Sequence, residues 1–277
     1  MTRLNLCNPF GAPVYFAQSL DSTMDACREL AAAGEPDGTV IAAGFQEKGR
    51  GRKDRIWQTV KNQNLMFTVL FRYQNFTSIP KAFTLRAGLA ASLSIEDLLP
   101  DLAGLVKIKW PNDIMLVPGA GPGKTAAIKA AGILTESDGA NVYLGIGVNV
   151  LQTEFPPELT GKAASLLSFY KDRFPDRIIP ESLRPRHAHF LLLEKILARL
   201  YTEFKTPQTA WKTSIEDRLF KLGEQVIFAR GAADSQNLVR GRLEGITDSG
   251  ELLIFPNGEK EPRAFINGEL EVYSDHF

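Results

Sequence analysis

Leu105-Val106-Lys107-Ile108-Lys109-Trp110-Pro111-Asn112-Asp113-Ile114-Met115-Leu116-Val117 reads as two strands and the turn between them. The first half alternates, so Lys107 and Lys109 share one face and Val106, Ile108 and Trp110 the other. Pro111-Asn112-Asp113 supplies the turn, and Ile114 to Val117 resumes an apolar run. Working outward, other strands lie close by. Thr39 to Ala43 and the apolar run Leu65 to Phe71 come before it. A strand from about Gly132 to Thr135 and another from Val142 to Val150 come after it, the last expected to break at Gly145 and Gly147. Strands so closely spaced favour an α+β fold, a mixed and largely antiparallel sheet with packed helices, over a doubly wound parallel one.

The helices are legible from caps and periodicity. Asp21-Ser22-Thr23-Met24-Asp25 opens a helix that ends at Gly34, and capping alone accounts for Ser22 and Thr23. Thr84 to Leu99 is an apolar helix closed by Pro100. Phe190, Leu193, Leu197, Leu200 and Phe204 recur at three- and four-residue steps, the stripe of a helix packed on the sheet. Thr206-Pro207 starts a shorter helix through about Asp217. From Leu219 only short strands and tight turns remain, at Thr247-Asp248-Ser249-Gly250 and Phe255-Pro256-Asn257-Gly258-Glu259. The chain is thus expected to divide into residues 1–217 and a small β-barrel over 218–277.

With 277 residues there is enough chain for one full core and a smaller second one. Lys and Arg number 32 against 32 Asp and Glu, which argues against a general nucleic-acid binder with a broad basic surface. Cys7 and Cys27 have no paired spacing, so neither a disulfide framework nor a zinc site is expected. His187, His189 and His276 are too few and too scattered for histidine-based metal chemistry. No signal-peptide core or membrane-spanning run is present, and the cytosol is the expected compartment.

Against this neutral background one window is strongly basic. Between Gln46 and Trp57 sit Lys48, Arg50, Arg52, Lys53 and Arg55, with Gly49 and Gly51 among them. A mobile cationic loop suits a ligand with several anionic oxygens, a nucleotide phosphate first. A solvated surface loop and a nonspecific RNA contact fit the same residues. Pro118-Gly119-Ala120-Gly121-Pro122-Gly123-Lys124-Thr125 nearly spells a phosphate-binding loop. Its prolines remove amide donors from the cradle, and strands close on both sides leave no room for the helix that should follow. It reads as a surface insertion.

Four separated segments together resemble the biotin protein ligases. They are Gly49-Arg50-Gly51-Arg52 with Gln46, Arg55 and Trp57; Lys109-Trp110-Pro111-Asn112-Asp113; Lys129-Ala130-Ala131-Gly132-Ile133-Leu134; and Gly145-Ile146-Gly147-Val148-Asn149-Val150. Gly241, Gly245 and Gly250 resemble glycine positions of that family's C-terminal domain. The resemblance implies a class II synthetase-like catalytic domain and a small SH3-like C-terminal β-barrel. It implies a biotin–[acetyl-CoA-carboxylase] ligase that joins biotin and ATP into biotinyl-5′-adenylate and then biotinylates a lysine of a biotin carboxyl carrier protein domain.

On the same resemblance, Lys129 lies between the biotin carboxylate and the α-phosphate and is the main catalytic residue, with Arg50 and Arg52 on biotin's tail and the adenylate phosphate. Ser22, Thr23, Gln46, Gly49, Gly132, Gly145 and Gly147 fall on the biotin side. Arg55 is expected on the outgoing phosphates and Trp57 covering the ligand. Asn149 falls on the nucleotide side, and Asn112 and Asp113 on the nucleotide or Mg²⁺. Met24 departs from the family's usual asparagine, Asp54 from a usual glycine, and Pro118 to Ile128 is longer than is common.

The catalytic pattern begins by Ser22, so a monofunctional ligase without DNA binding is expected. A homodimer stays open. The rivals are a lipoate or octanoate ligase or transferase on a similar fold, and an RNA-binding module built on the Arg-Gly loop and the β-barrel. The neutral charge disfavours the latter.

Overall fold

The computed structural model describes residues 1–119, 126–139, 141–184, 188–205, 209–231 and 238–272, with only the backbone of Asp54. Most of the phosphate-loop look-alike (120–125), the expected helix start at Thr206-Pro207, His187 and His276 lie outside these. The large sheet holds eight strands: β1 (Thr2–Leu4), β2 (Val14–Ala17), β3 (Val40–Ala43), β4 (Asn64–Arg72), β5 (Val106–Lys109), β6 (Asp113–Leu116), β7 (Ile128–Asp138) and β8 (Asn141–Asn149). Their spatial order is β1-β2-β3-β4-β8-β7-β6-β5. Only β2 and β3 run parallel; every other neighbour pair is antiparallel, as the spacing of strands in the sequence leads one to expect.

Strand β4 is buried from Asn64 to Phe71 because both faces are covered. Leu65, Phe67, Val69 and Phe71 enter the main core with α2 (Phe83–Leu98) and α4 (Ala188–Lys205), while Leu70 packs with Met24 and Cys27 of α1 (Thr23–Ala32). Helix α1 starts where Ser22 caps it, accepting from the Met24 amide at 3.3 Å. Two further helices, α3 (Leu166–Arg173) and α5 (Trp211–Glu216), follow the large sheet in the chain. The helix expected from Thr206-Pro207 is seen, in the described residues, as the single short α5.

One expectation is corrected outright. Strand β8 does not break at Gly145 and Gly147: it pairs without a register shift from Asn141 to Asn149 with β4, and likewise with β7. Glycine weakens a lone strand, but here both edges are hydrogen-bonded to long neighbours. Strand β7 also starts earlier than expected, at Ile128, so Lys129 belongs to it.

A five-stranded antiparallel sheet follows, in the order β12-β11-β10-β9-β13, from β9 (Gln225–Arg230), β10 (Leu238–Ile246), β11 (Leu252–Pro256), β12 (Arg263–Phe265) and β13 (Gly268–Leu270). It is fused to the large sheet by shared core. The Trp110 ring lies 6.0 Å from that of Phe228, and its Nε1 donates to the Gly250 carbonyl at 3.0 Å. Residues 218–220 line the β5 edge, with the Ile108 amide donating to Arg218 O and the Phe220 amide to Ile108 O.

Candidate functional site

Register explains the site. In β7 the sequence alternation would place Lys129 and Gly132, three residues apart, on opposite faces. A bulge at Ala130 inserts one extra residue: Met115 pairs with Lys129 and Ile114 with Ala131. The strand's phase flips there, and Lys129 and Gly132 border the same cavity. Asp113, Gly132 and Gly147 then stand in one row across β6, β7 and β8. The cavity above this row has a volume of about 370 Å³.

One end of the cavity is polar and fixed. Gln46 Oε1 accepts from the Thr23 amide at 2.7 Å and from the Thr23 hydroxyl at 3.0 Å, while the Thr68 hydroxyl donates to Thr23 Oγ1 at 2.9 Å. Ser22, Thr23 and Gln46 are buried. The other end is cationic. Among the described residues, seven cationic side chains border the cavity against two carboxylates, Asp113 and Glu269. Lys129 Nζ lies 2.6 Å from Asp113 Oδ1, and Lys109 Nζ lies 3.8 Å from the other oxygen of that carboxylate. Burial pushes the Lys109 ammonium below the usual lysine pKa, opposed by Asp113 and Glu269.

The basic window is a narrow hairpin. The Gly51 amide donates to Arg55 O at 2.7 Å and the Trp57 amide to Gly49 O at 2.9 Å. A Cβ on Gly49 would stand 2.5 Å from the Trp57 carbonyl oxygen, so only glycine permits the two arms to close. Its cations go separate ways. Arg50 turns outward to Asp25 at 2.7 Å and to Glu136 at 3.8 Å. Arg52 turns inward and donates to Asn112 Oδ1 at 3.0 Å. Arg55 forms a two-pronged pair with Glu269 of β13, at 2.9 and 2.7 Å, which holds that carboxyl below the usual glutamate range. The structure therefore brings Arg52, Lys129, Asn112 and Asp113 together, while Arg50, also on the cavity border, has its guanidinium paired with Asp25.

The Trp57 ring lies against the cavity floor. A Cβ on Gly147 would be 2.6 Å from Trp57 Cε2, and one on Gly132 would be 3.1 Å from Cζ3. The space these glycines leave is filled by the indole, whose buried Nε1 has no protein hydrogen-bond partner. Lys129 Nζ lies 5.6 Å from the ring centroid. Gly145 faces Met24 instead, with the sulfur 3.2 Å from where a Cβ would be. Asn149 is buried, and its side-chain amide donates to Ala164 O at 3.4 Å.

Asn112 and Asp113 do not suit a protein-held Mg²⁺. Asp113 is already shared by two ammonium groups, and Asn112 Oδ1 is engaged by a guanidinium. Among the described residues no three His, Cys, Asp or Glu side chains group as a metal site.

Sequence reasoning missed Glu269 and Lys162, which border the cavity from β13 and from the loop after β8. A glutamate in a three-residue strand gives no local signal. Lys162 is placed by the segment that runs beside the start of β7, where the Lys129 amide donates to Lys162 O.

Residues 16–150 match the model of the biotin/lipoate A/B protein ligase family. Among individual relatives, the bifunctional ligase/repressor BirA of Bacillus subtilis is 34% identical over 164 residues, covering 56% of this chain and 46% of its own length. The biotin–[acetyl-CoA-carboxylase] ligase of Paracoccus denitrificans is 29% identical over 228 residues, covering 77% of this chain and 82% of its own. The chain thus spans about half the length of the first of these relatives. The solved structure of the biotin protein ligase from Aquifex aeolicus in complex with biotin and ATP shares the fold, with a TM-score of 0.66 over 93% of this chain and 97% of that one, at 24% identity. No described helix is long and apolar enough to cross a membrane.

Proposed function

We propose that the chain is a biotin protein ligase, with residues 1–217 as its catalytic part and 218–277 as a C-terminal β domain that closes on the ligand loop. The observation that carries this is the polarity of one cavity: a neutral hydrogen-bonded end at Thr23 and Gln46, an aromatic wall at Trp57, and a cationic end at Arg52, Lys109 and Lys129. That order fits a small bicyclic urea with an apolar tail and a carboxylate, placed against a nucleotide triphosphate.

In the first step a biotin carboxylate oxygen attacks the α-phosphorus of ATP, and the bond to the β-phosphate breaks to release pyrophosphate. Both reactants are anions, and the fixed cations Lys129 and Arg52 lower the barrier by charge stabilisation. Lys129 sits where carboxylate and phosphate would meet, and Arg52 grips the resulting adenylate. In the second step a neutral lysine amine of a biotin carboxyl carrier domain attacks the acyl carbon, the bond to AMP breaks, and the amine's proton is lost. Asn149 belongs to the nucleotide side on this reading, with Asn112 behind Arg52, and Ser22 and the glycines belong to the biotin side. The compartment is the cytoplasm.

ATP–pyrophosphate exchange measured with biotin, lipoate and octanoate tests the proposal. Exchange with biotin alone is expected. Exchange with lipoate or octanoate and none with biotin would overturn it in favour of the acyl-ligase rival, and exchange with none of them would remove the enzymatic reading.

A further inference from the structure

We infer that Asn112 is a positioning residue, whose two-sided side chain clasps Arg52 to strand β7 and so sets how firmly the loop retains the adenylate. Every polar atom of Asn112 is committed. Its amide donates to Lys109 O at 3.2 Å, its carbonyl accepts from the Ile133 amide at 2.9 Å, its Nδ2 donates to Ile133 O at 2.8 Å, and its Oδ1 accepts from Arg52 Nη1 at 3.0 Å.

The residue thus extends the β6–β7 ladder by one step beyond Asp113, with its side chain standing in for a main-chain donor. This demands a group that donates on one side and accepts on the other at short reach. Aspartate lacks the donor toward Ile133 O, and alanine lacks both. Asn112 is the hydrogen-bond partner that the structure shows for the Arg52 guanidinium, while the loop's other cations are held elsewhere: Lys48 by Asp21, Arg50 by Asp25, Lys53 by Gly231 O and Arg55 by Glu269. The guanidinium that turns inward therefore does so on an anchor in the sheet. The same commitment explains why Asn112 is a poor metal ligand.

The enzymatic arms of the test rest on the proposed ligase reading; the structural arm does not. In limited trypsin digestion followed by mass spectrometry, Asn112→Ala is expected to raise cleavage after Arg52 about tenfold, because a charge-assisted hydrogen bond is lost. Unchanged cleavage there would overturn the clasp whatever the enzyme does.

In single-turnover reactions, Asn112→Ala is expected to release biotinyl-adenylate nearly as fast as Arg52→Gly. The double variant should release it no faster than Arg52→Gly alone. Multiplied effects in the double variant would overturn the inference. Asn112→Asp serves as the conservative rescue and carries the test should the alanine variant fail to fold. It keeps an acceptor for Arg52 and loses the Ile133 bond, so its melting temperature should fall and adenylate release should lie between wild type and Asn112→Ala. Its half-saturating Mg²⁺ concentration should also be unchanged. Fast release, or a severalfold lower Mg²⁺ requirement, would refute the positioning role. Absence of biotin-dependent exchange in the wild-type protein would instead strike the ligase reading and leave the trypsin result to decide the clasp.

Discussion

The glycines of the cavity floor make a graded prediction. Alanine at Gly147 would place its Cβ 2.6 Å from Trp57 Cε2 and 2.8 Å from Cζ2, inside contact distance of a rigid ring. At Gly132 the nearest ring atom is 3.1 Å away, and at Gly145 the neighbour at 3.2 Å is the sulfur of a flexible methionine. Overpacking of a rigid neighbour costs about 1–3 kcal/mol, while Gly→Ala in compatible backbone returns about 0.4–1 kcal/mol through the unfolded state. Gly147→Ala should therefore destabilise by about 1–2 kcal/mol, Gly132→Ala by less, and Gly145→Ala should be near neutral.

If the displaced indole moves toward solvent, Gly147→Ala should also red-shift the Trp57 emission and weaken biotin binding. Guanidinium unfolding gives the stabilities. The decisive control is Trp57→Ala: with the ring gone, Gly147→Ala should cost nothing further. An equal penalty for Gly147→Ala with and without the indole would refute the argument that Trp57 is what the glycine accommodates.

Lys129→Ala should lower biotin-dependent pyrophosphate exchange about 100- to 1,000-fold, the usual effect of removing one preorganised charge stabiliser, while calorimetry shows biotin binding much less affected; unchanged exchange would remove Lys129 from the mechanism. Glu269→Gln tests the clasp between the C-terminal sheet and the ligand loop. Since Arg55 holds the Glu269 carboxyl below its ordinary value of 4.5, the pair's contribution is complete above that pH and is lost as pH falls through the lower folded value. Arg55 is 61% exposed, so the stability gap between wild type and variant should be only about 1 kcal/mol at pH 7 and should close in acid; a gap independent of pH in thermal melts would contradict the pairing. Asp25→Asn breaks an exposed pair in which Arg50 and Asp25 are 41% and 47% exposed, so it should change stability by less than about 1 kcal/mol. If it also leaves the biotin KM unchanged or lower, Arg50 is free to serve the ligand; a marked rise in KM would mean the outward pair is needed.

Much of the architecture was legible because it rests on local chemistry. The Ser22 cap, the doubly buried run of β4, the alternation of β5 and the tight turns of the C-terminal sheet each follow from a few neighbouring residues. The grouping of Arg52 with Lys129 and Asp113 rests in the sequence on the resemblance of four motifs, since spacing along the chain does not bring such distant residues together. Where local rules failed, long-range pairing had overruled them. Gly145 and Gly147 look like strand breakers, yet β4 and β7 hold β8 straight.

The sequence by itself determined which residue types are available: a basic hairpin whose glycines let its arms close, a strand-turn-strand carrying Lys109 to Asp113, and a neutral chain around them. Tertiary structure alone decided where those groups point. The bulge at Ala130 turns Lys129 to the cavity, Asp25 and Asn112 send Arg50 outward and Arg52 inward, and Glu269 arrives from a strand 214 residues beyond Arg55. Side-chain direction depends on strand register and on the partner that wins each charge, and both are fixed only when distant segments meet.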